Sequence, residues 1–229
     1  AYIAGLISEA DASPKAAPML LDRAIAAGER ILSQSYGGAK SLAPEVLYHV
    51  AVAQYRRGDR LAASRRFIEA ARYQPKFDRA LNAGTLAVQL AAELYHDAGQ
   101  LSKDEVTTLY REALQVLLTH HGGTDAERYW RFYYAQLLDE LGEFDAAAEQ
   151  FRLVDAAHEH SLHSGFLRVR SLAAALHRAA AGSAGDAIDL VLRADAILSA
   201  YRDFMARAGE WMSREPQSPN ETSPRRLLA

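Results

Sequence analysis

Residues 44–76 read PEVLYHVAVAQYRRGDRLAASRRFIEAARYQPK, and this stretch decides the fold. It predicts a helical hairpin, because Pro44 suits the first turn of a helix, Gly58 breaks that helix and Pro75 ends a second one. Apolar residues recur with helical spacing on both sides of the break. The stretch is therefore predicted to be a unit of helix packing.

The composition extends this prediction to the whole chain. The chain has 229 residues, of which 49% are hydrophobic, so it is long enough to bury a core. Alanine and leucine dominate, and β-branched residues are sparse, which favours helices. Since no stretch alternates apolar and polar residues with a period of two, we predict an all-α protein without a sheet.

Charge and cysteine content exclude several classes of function. The chain has 26 Lys and Arg against 29 Asp and Glu, and a net charge of −3 argues against nucleic acid or an anionic membrane as the main partner. The absence of cysteine excludes disulfides and thiolate chemistry, and it leaves the compartment open between the cytoplasm and an oxidising envelope such as the periplasm. Charged residues interrupt every apolar run, so we predict no membrane span.

Glycines divide the chain at a regular interval. The breaks at Gly58, Gly99, Gly142 and Gly182 are separated by 41, 43 and 40 residues, which indicates a repeat array. An alanine stands seven residues before each of the four glycines: Ala51, Ala92, Ala135 and Ala175. In the second helices the small and aromatic positions also align, as Ala63, Phe67 and Ala70; Tyr110 and Ala113; Ala147, Phe151 and Val154; and Ala187, Val191 and Ala194.

At these residues the chain resembles the tetratricopeptide-repeat family. The copy at 44–76 has the small residue of the first helix, the turn glycine, the alanine and aromatic of the second helix, and the closing proline of that family. The resemblance spans about residues 44–201 and departs from the family in its period, which is near 40 instead of 34. It implies an α-hairpin solenoid in a right-handed superhelix, with a concave face that binds peptides.

The predicted organisation has three parts. We expect an N-terminal helical cap at 1–43, a repeat array at 44–212 and an extended or disordered tail at 213–229. The approximate repeats are 44–77, 78–121, 125–159 and 162–212. We also expect the chain to be a piece of a larger bacterial protein, since it begins with neither a methionine nor a signal peptide.

The resemblance implies which residues line the concave face. Carried over on the glycine register, the candidate partner-binding residues are Tyr48, Tyr55, Arg56, Gln89, Glu93, His96, Tyr129, Phe132, Gln136 and Asp139. Tyr129 and Phe132 belong to an aromatic run at 129–134 that points around the whole helix. Either these two rings face the groove as anchors for a peptide, or the run is core and ordinary surface.

Other clusters predict no chemistry. His158, His160 and His163 do not share one helix face, so we interpret them as polar residues at a turn and predict no metal site. Acidic pairs on helix faces lack a cleft that would shift their pKa, and no phosphate-binding loop follows a strand. We therefore predict no catalytic residue and no cofactor.

Three hypotheses about function follow. The first is a non-catalytic scaffold that binds a protein or peptide in the concave groove. The alternative is a helical domain that binds a small molecule or assists a larger enzyme. A third is self-association through the tail or through the apolar final helix, with Ile197, Leu198, Tyr201, Phe204 and Met205.

Overall fold

The computed structural model describes residues 1–34, 38–73, 77–97, 99–182 and 186–213. Within these ranges the chain forms helices and no strand, and consecutive helices pack against each other, so the all-α prediction is confirmed. The helices are α1 (Tyr2–Ala12), α2 (Ala17–Ser33), α3 (Gly38–Arg57), α4 (Arg60–Ala71), α5 (Ala80–His96), α6 (Lys103–His120), α7 (Asp125–Glu140), α8 (Phe144–Arg152), α9 (Ser161–Ala181) and α10 (Ala187–Ser213). Pro75 and residues 214–229, where we predicted a helix end and the tail, lie outside the described residues.

Side-chain caps fix the start of three helices. The Asp59 carboxylate accepts a 3.0 Å hydrogen bond from the Ala62 amide at the start of α4, and Ser102 caps α6 in the same way. At α7 the Thr124 hydroxyl accepts from the Glu127 amide at 3.1 Å. Each cap satisfies a backbone donor that the first helical turn leaves unpaired, so these short polar residues determine where the chain turns back.

Two helix boundaries differ from the sequence prediction. Helix α3 begins at Gly38, so Pro44 lies inside the helix with its ring buried and does not start it. Helix α8 ends at Arg152, seven residues before the end of the predicted repeat at 125–159. The reason lies in Asp155, whose side chain accepts the Ala157 amide at 2.8 Å and holds a turn that competes with the helix.

The break glycines are of two kinds. Gly58 and Gly142 have φ of 91° and 75°, a left-handed conformation that glycine adopts without a steric penalty. Gly182 has φ of −80°, which any residue tolerates. The fourth break therefore ends its helix without the left-handed conformation of Gly58, Gly99 and Gly142.

The chain separates into two compact units, Ala1–Trp130 and Arg131–Ala229, called unit 1 and unit 2. In unit 1, helices α1, α2 and α3 share a core. Its buried residues are Ile3, Leu6, Ile7, Ala10, Leu20, Leu21, Ala24, Val46, Val50 and Ala53. Helices α2 and α3 approach each other closely at Gly28 of α2, where an added Cβ would lie 2.1 Å from Cγ2 of Val50 on α3.

Most of the small and aromatic positions that the repeat pattern predicted are buried in unit 1. These are Ala51, Ala63, Phe67, Ala70, Tyr110 and Ala113. Ala92 is only half-buried, and its neighbour Ala91 is buried in its place. The alignment on Gly99 is thus displaced by one residue at this position.

Unit 2 has its own core, formed by the part of α7 that belongs to this unit, by α8 with the residues that follow it, and by α9. It contains Phe132, Ala135, Leu138, Ala147, Phe151, Val154 and Leu167. Helix α10 packs on α9 through a different stripe from the predicted one, namely Ala200, Phe204 and Ala208. The repeat alignment is wrong for α10, since Val191 is 59% exposed and Ala187 is also exposed.

Candidate functional site

Two side-chain pairs join α3 to the start of α5 in unit 1. Glu45 lies 3.5 Å from Arg79, and the Tyr48 hydroxyl donates a 2.7 Å hydrogen bond to Oδ1 of Asn82. Both pairs join residues that are 34 positions apart in sequence. Helix α4 packs against both α3 and α5 and reverses the chain direction between them, so α3 and α5 run the same way.

The observed register corrects the one derived from the glycines. The glycine alignment, with an offset of 41 residues, placed Gln89 at the position of Tyr48, whereas the structure places Asn82 there. Asn82 and Arg79 were not among the predicted residues. An alignment of the helices with the 34-residue period of the tetratricopeptide repeat would have placed them opposite Tyr48 and Glu45. The slip is seven residues, or two helical turns, so the predicted residues of α5 keep the correct face of the helix.

Tyr48 has a packing role. It is half-buried, and its ring contacts Phe67 and Phe77 edge-on, with centroids 5.5 and 6.0 Å apart. The guanidinium of Arg79 lies 5.4 Å from the same ring. The side chain therefore ties α3 to α4 and α5 and offers little surface to a partner.

Two turns beyond Tyr48 the same face becomes open. Tyr55 follows Tyr48 by seven residues and Gln89 follows Asn82 by seven, so each lies two helical turns along its helix on the same side as its paired predecessor. Tyr55 is 50% exposed, and Gln89 is exposed. Glu93 stands one turn beyond Gln89, also exposed, with its carboxylate 3.7 Å from Arg60. We call these three residues, Tyr55, Gln89 and Glu93, the α3–α5 surface.

The other predicted residues of unit 1 have different surroundings. Arg56 forms an ion pair with Asp11 of α1 and reaches the Ile7 carbonyl at 3.5 Å, so it links α3 to α1. His96 is exposed in the last turn of α5. Tyr129 is 41% exposed and contacts the Trp130 ring edge-on at 5.2 Å.

Phe132 in unit 2 is not a surface residue. Its side chain is 2% exposed and belongs to the hydrophobic core, where it contacts the Phe151 ring at a centroid distance of 6.0 Å. The expectation of a groove-facing ring is wrong at this position. The burial is explained by Ala135 and Leu138, which follow at i+3 and i+6 and lie in the same core.

Asp139 and Gln136 are also less accessible than predicted. The Asp139 side chain is 11% exposed, forms an ion pair with Arg170 and accepts a 2.6 Å hydrogen bond from the Ser171 hydroxyl. This carboxylate therefore connects α7 to α9 within unit 2. Gln136 is half-buried on the same helix.

Three of the histidines of unit 2 lie close to the Phe132 ring. The centroids of His160, His163 and His158 lie 4.5, 5.7 and 6.1 Å from it. Burial, followed by the charges of His160 and Arg170, lowers the pKa of His163. No three His, Asp or Glu side chains of the described residues are grouped so that they could hold a metal ion.

A cleft lies between α8, α9 and α10, and its size bears on the hypothesis of a small-molecule ligand. It is lined by Phe151, Arg152, Gly165, Arg168, Ala200, Asp203, Phe204 and Arg207. It encloses about 10 Å³, the space of roughly one water molecule. Ordinary ligand pockets enclose roughly 300–1,000 Å³, so this cleft does not favour a small-molecule ligand.

Comparison with protein-family models, with curated proteins and with solved structures gave no match. The likeness to tetratricopeptide repeats therefore depends on the residues of this chain alone. None of the helices in the described ranges has the length and apolar character needed to cross a membrane.

Proposed function

We propose that this chain is a non-catalytic helical repeat module, similar to tetratricopeptide repeats, that binds a protein or peptide. The observation that carries the proposal is the pairing of alternate helices in unit 1. Glu45–Arg79 and Tyr48–Asn82 join α3 to α5 at an offset of 34 residues. An array of stacked hairpins brings every second helix together in this way, and it leaves one face of those helices open.

The helices on the other side of unit 1 support the same arrangement. Arg65 lies 2.8 Å from Glu105, and Arg72 lies 2.6 Å from Glu112, both at an offset of 40 residues. These pairs join α4 to α6. Two sets of alternate helices, each with its own offset, are what a stack of α-hairpins predicts, and the offset of 40 is close to the 41 residues between Gly58 and Gly99.

The α3–α5 surface has the chemistry of a peptide-binding surface. Tyr55 offers an exposed ring with few rotatable bonds, and tyrosine is frequent among the residues that dominate binding energies. Gln89 can both donate to and accept from a peptide backbone, and Glu93 favours a basic side chain. We therefore expect a segment with an apolar anchor and a nearby lysine or arginine.

A peptide-display selection on the immobilised full chain tests this proposal. The affinity of the selected peptides is then measured for the wild type and for Tyr55→Ala, Gln89→Ala and Glu93→Gln. We expect the tyrosine variant to bind at least about tenfold more weakly, since truncating a central aromatic commonly costs 2 kcal/mol or more, that is roughly thirtyfold. Tyr73→Ala is the matched control, because Tyr73 is a similarly exposed tyrosine at the end of α4.

Peptides that bind the three variants as tightly as the wild type would show that the α3–α5 surface is not the binding site. A selection that enriches no peptide with an apolar and a basic residue would contradict the proposed chemistry. Circular dichroism of each variant confirms that the helices remain folded.

A further inference from the structure

Helix α10 exposes an apolar row that the described residues of its unit do not cover. The exposed residues that follow each other at alternating steps of three and four are Ile188, Val191, Asp195, Leu198, Arg202, Met205, Gly209 and Met212. We call this row the outward face of α10. Leu198 is 52% exposed and Ile188 is 68% exposed. Large exposed apolar rows of this kind mark interaction surfaces.

The face differs from the one that the sequence predicted for self-association. Phe204 is buried against α9, where it lies 3.3 Å from the Cβ position of Gly165, and Ile197 is half-buried. Leu198, Tyr201 and Met205 are exposed as that hypothesis requires. The apolar residues that pack inside the unit and those that face outward are therefore two distinct sets.

The spacing of the outward face is that of a coiled-coil seam. Steps of three and four residues keep one stripe in line over more than three heptads, and Val191, Leu198, Met205 and Met212 recur every seven residues along it. The described helix has 27 residues, so it offers a stripe about 40 Å long. A helix of another molecule is the partner shape that such a stripe fits.

Two charged residues on this face indicate which helix is the partner. Asp195 and Arg202 are exposed, and neither has an opposite charge three or four residues away on α10. Asp189, Arg193 and Asp203 of α10 form ion pairs within unit 2. Asp195 and Arg202, three residues before and four residues after Leu198, have no ion pair with any residue that the structure describes.

We propose that the outward face of α10 binds a second copy of the chain, with the two α10 helices antiparallel and a two-fold axis near Leu198. This arrangement places Asp195 of each copy beside Arg202 of the other, and Val191 opposite Met205. A parallel pair would instead place Asp195 beside Asp195 and Arg202 beside Arg202, which like-charge repulsion disfavours. The surface is self-complementary, as a two-fold interface requires.

Gly209 contributes to the fit. An antiparallel pair centred near Leu198 brings Ile188 of one copy close to Gly209 of the other. Among the described residues, no atom outside the helix itself lies within 4 Å of the Cβ position of Gly209, which leaves room there for a neighbouring side chain. The inference concerns α10 of unit 2 and does not depend on the peptide-binding surface of unit 1.

The first experiment measures the mass of the full chain by sedimentation over a range of concentrations. We expect a dimer for the wild type, and at least about tenfold weaker association for Asp195→Arg and for Arg202→Asp, because each reversal opposes like charges across the axis. The double variant D195R/R202D restores opposite charges and recovers association. Glu9→Arg, a charge reversal on an exposed position of α1, is the control and leaves the mass unchanged.

The second experiment determines the direction of the helices. The chain has no cysteine, so a single introduced cysteine is its only thiol. Leu198→Cys should form a disulfide-linked dimer on mild oxidation. Val191→Cys should not, since two copies of residue 191 lie about 21 Å apart along an antiparallel pair and a disulfide needs Cα atoms within roughly 7 Å. A mixture of Val191→Cys and Met205→Cys chains should form the mixed disulfide.

A wild-type chain that stays monomeric at the highest concentration would overturn the proposal. Disulfide formation by Val191→Cys as readily as by Leu198→Cys would show a parallel pair and would equally contradict it. A dimer that neither charge reversal weakens uses another surface, which also overturns the assignment.

Discussion

The Tyr48 hydroxyl donates a 2.7 Å hydrogen bond to Oδ1 of Asn82, 34 residues further along the chain. The bond joins α3 to α5, which are separated in sequence by the whole of α4. Together with Glu45–Arg79 one turn earlier, it sets the height of one helix against the other. Everything that the α3–α5 surface presents depends on this register.

Replacement of Tyr48 by Phe should lower the free energy of unfolding by about 0.5–1.5 kcal/mol, because it removes the hydrogen bond and leaves the ring contacts with Phe67 and Phe77 in place. Urea unfolding measures the change. Asn82→Ala should have an effect of similar size, and the double variant should lose less than the sum of the two. Tyr55→Phe is the control, since Tyr55 is exposed. Strict additivity of the two changes would show that the pair contributes no coupling.

Replacement of Gly28 by Ala should destabilise the contact of α2 with α3 by about 1–3 kcal/mol, because the new methyl group would lie 2.1 Å from Cγ2 of Val50 and this stiff, buried side chain has little room to move. Gly5→Ala on α1 is the matched control. Nothing lies within 4 Å of its Cβ position, so the same substitution should be neutral or stabilise the helix by about 0.5–1 kcal/mol. Equal effects of the two substitutions in thermal unfolding would contradict this packing.

The sequence predicted the positions of the helices well because their ends are encoded locally. Gly58 and Gly142 adopt the left-handed turn that glycine favours, and Asp59 caps the helix that follows. The buried stripe of α4 was predicted for a similar reason, since its alanines and Phe67 recur at helical spacing. These features depend only on residues within a few positions of each other.

The register and the orientation of aromatic residues could not be predicted in this way. The glycine marks where a helix ends, whereas contacts such as Tyr48–Asn82 decide how far one helix slides along another, and the two criteria differ by two turns. The aromatic run at 129–134 covers every side of α7, so the sequence gives no reason to bury Phe132 and expose Tyr129. The register of two helices and the burial of each aromatic ring are both set by contacts with neighbouring helices.

Stability should fall as the pH drops below about 6.5, because His121 is buried in unit 1. Burial lowers its pKa, the backbone of Ala71 acts in the opposite direction, and His120 lowers it further. Above the ordinary histidine pKa of about 6.5, His121 is neutral in both the folded and the unfolded chain. Its protonation therefore does not change the free energy of unfolding there. Below it the unfolded chain binds a proton that the folded chain rejects, and stability declines by up to about 1.4 kcal/mol per pH unit.

Urea unfolding between about pH 7.5 and pH 5 measures this decline. His121→Leu should flatten the curve, although a part of the slope should remain because the pKa of His163 is lowered as well. His177→Gln is the control, as His177 is exposed on α9. An unchanged slope in the His121 variant would show that its protonation is not linked to folding.

Replacement of Phe132 by Ala should destabilise unit 2 by about 3–5 kcal/mol, the usual cost of removing a buried aromatic ring, because the ring fills the space between Phe151 and the histidines of the α8–α9 connection. Phe132→Leu retains most of the apolar volume and should cost less. Tyr55→Ala, at an exposed position, should change stability by no more than about 0.5 kcal/mol. Thermal unfolding distinguishes these cases, and hydrogen exchange should locate the loss in α7, α8 and α9. If Phe132→Ala unfolded at the wild-type temperature, the ring would not hold this core together, and its burial would be without energetic consequence.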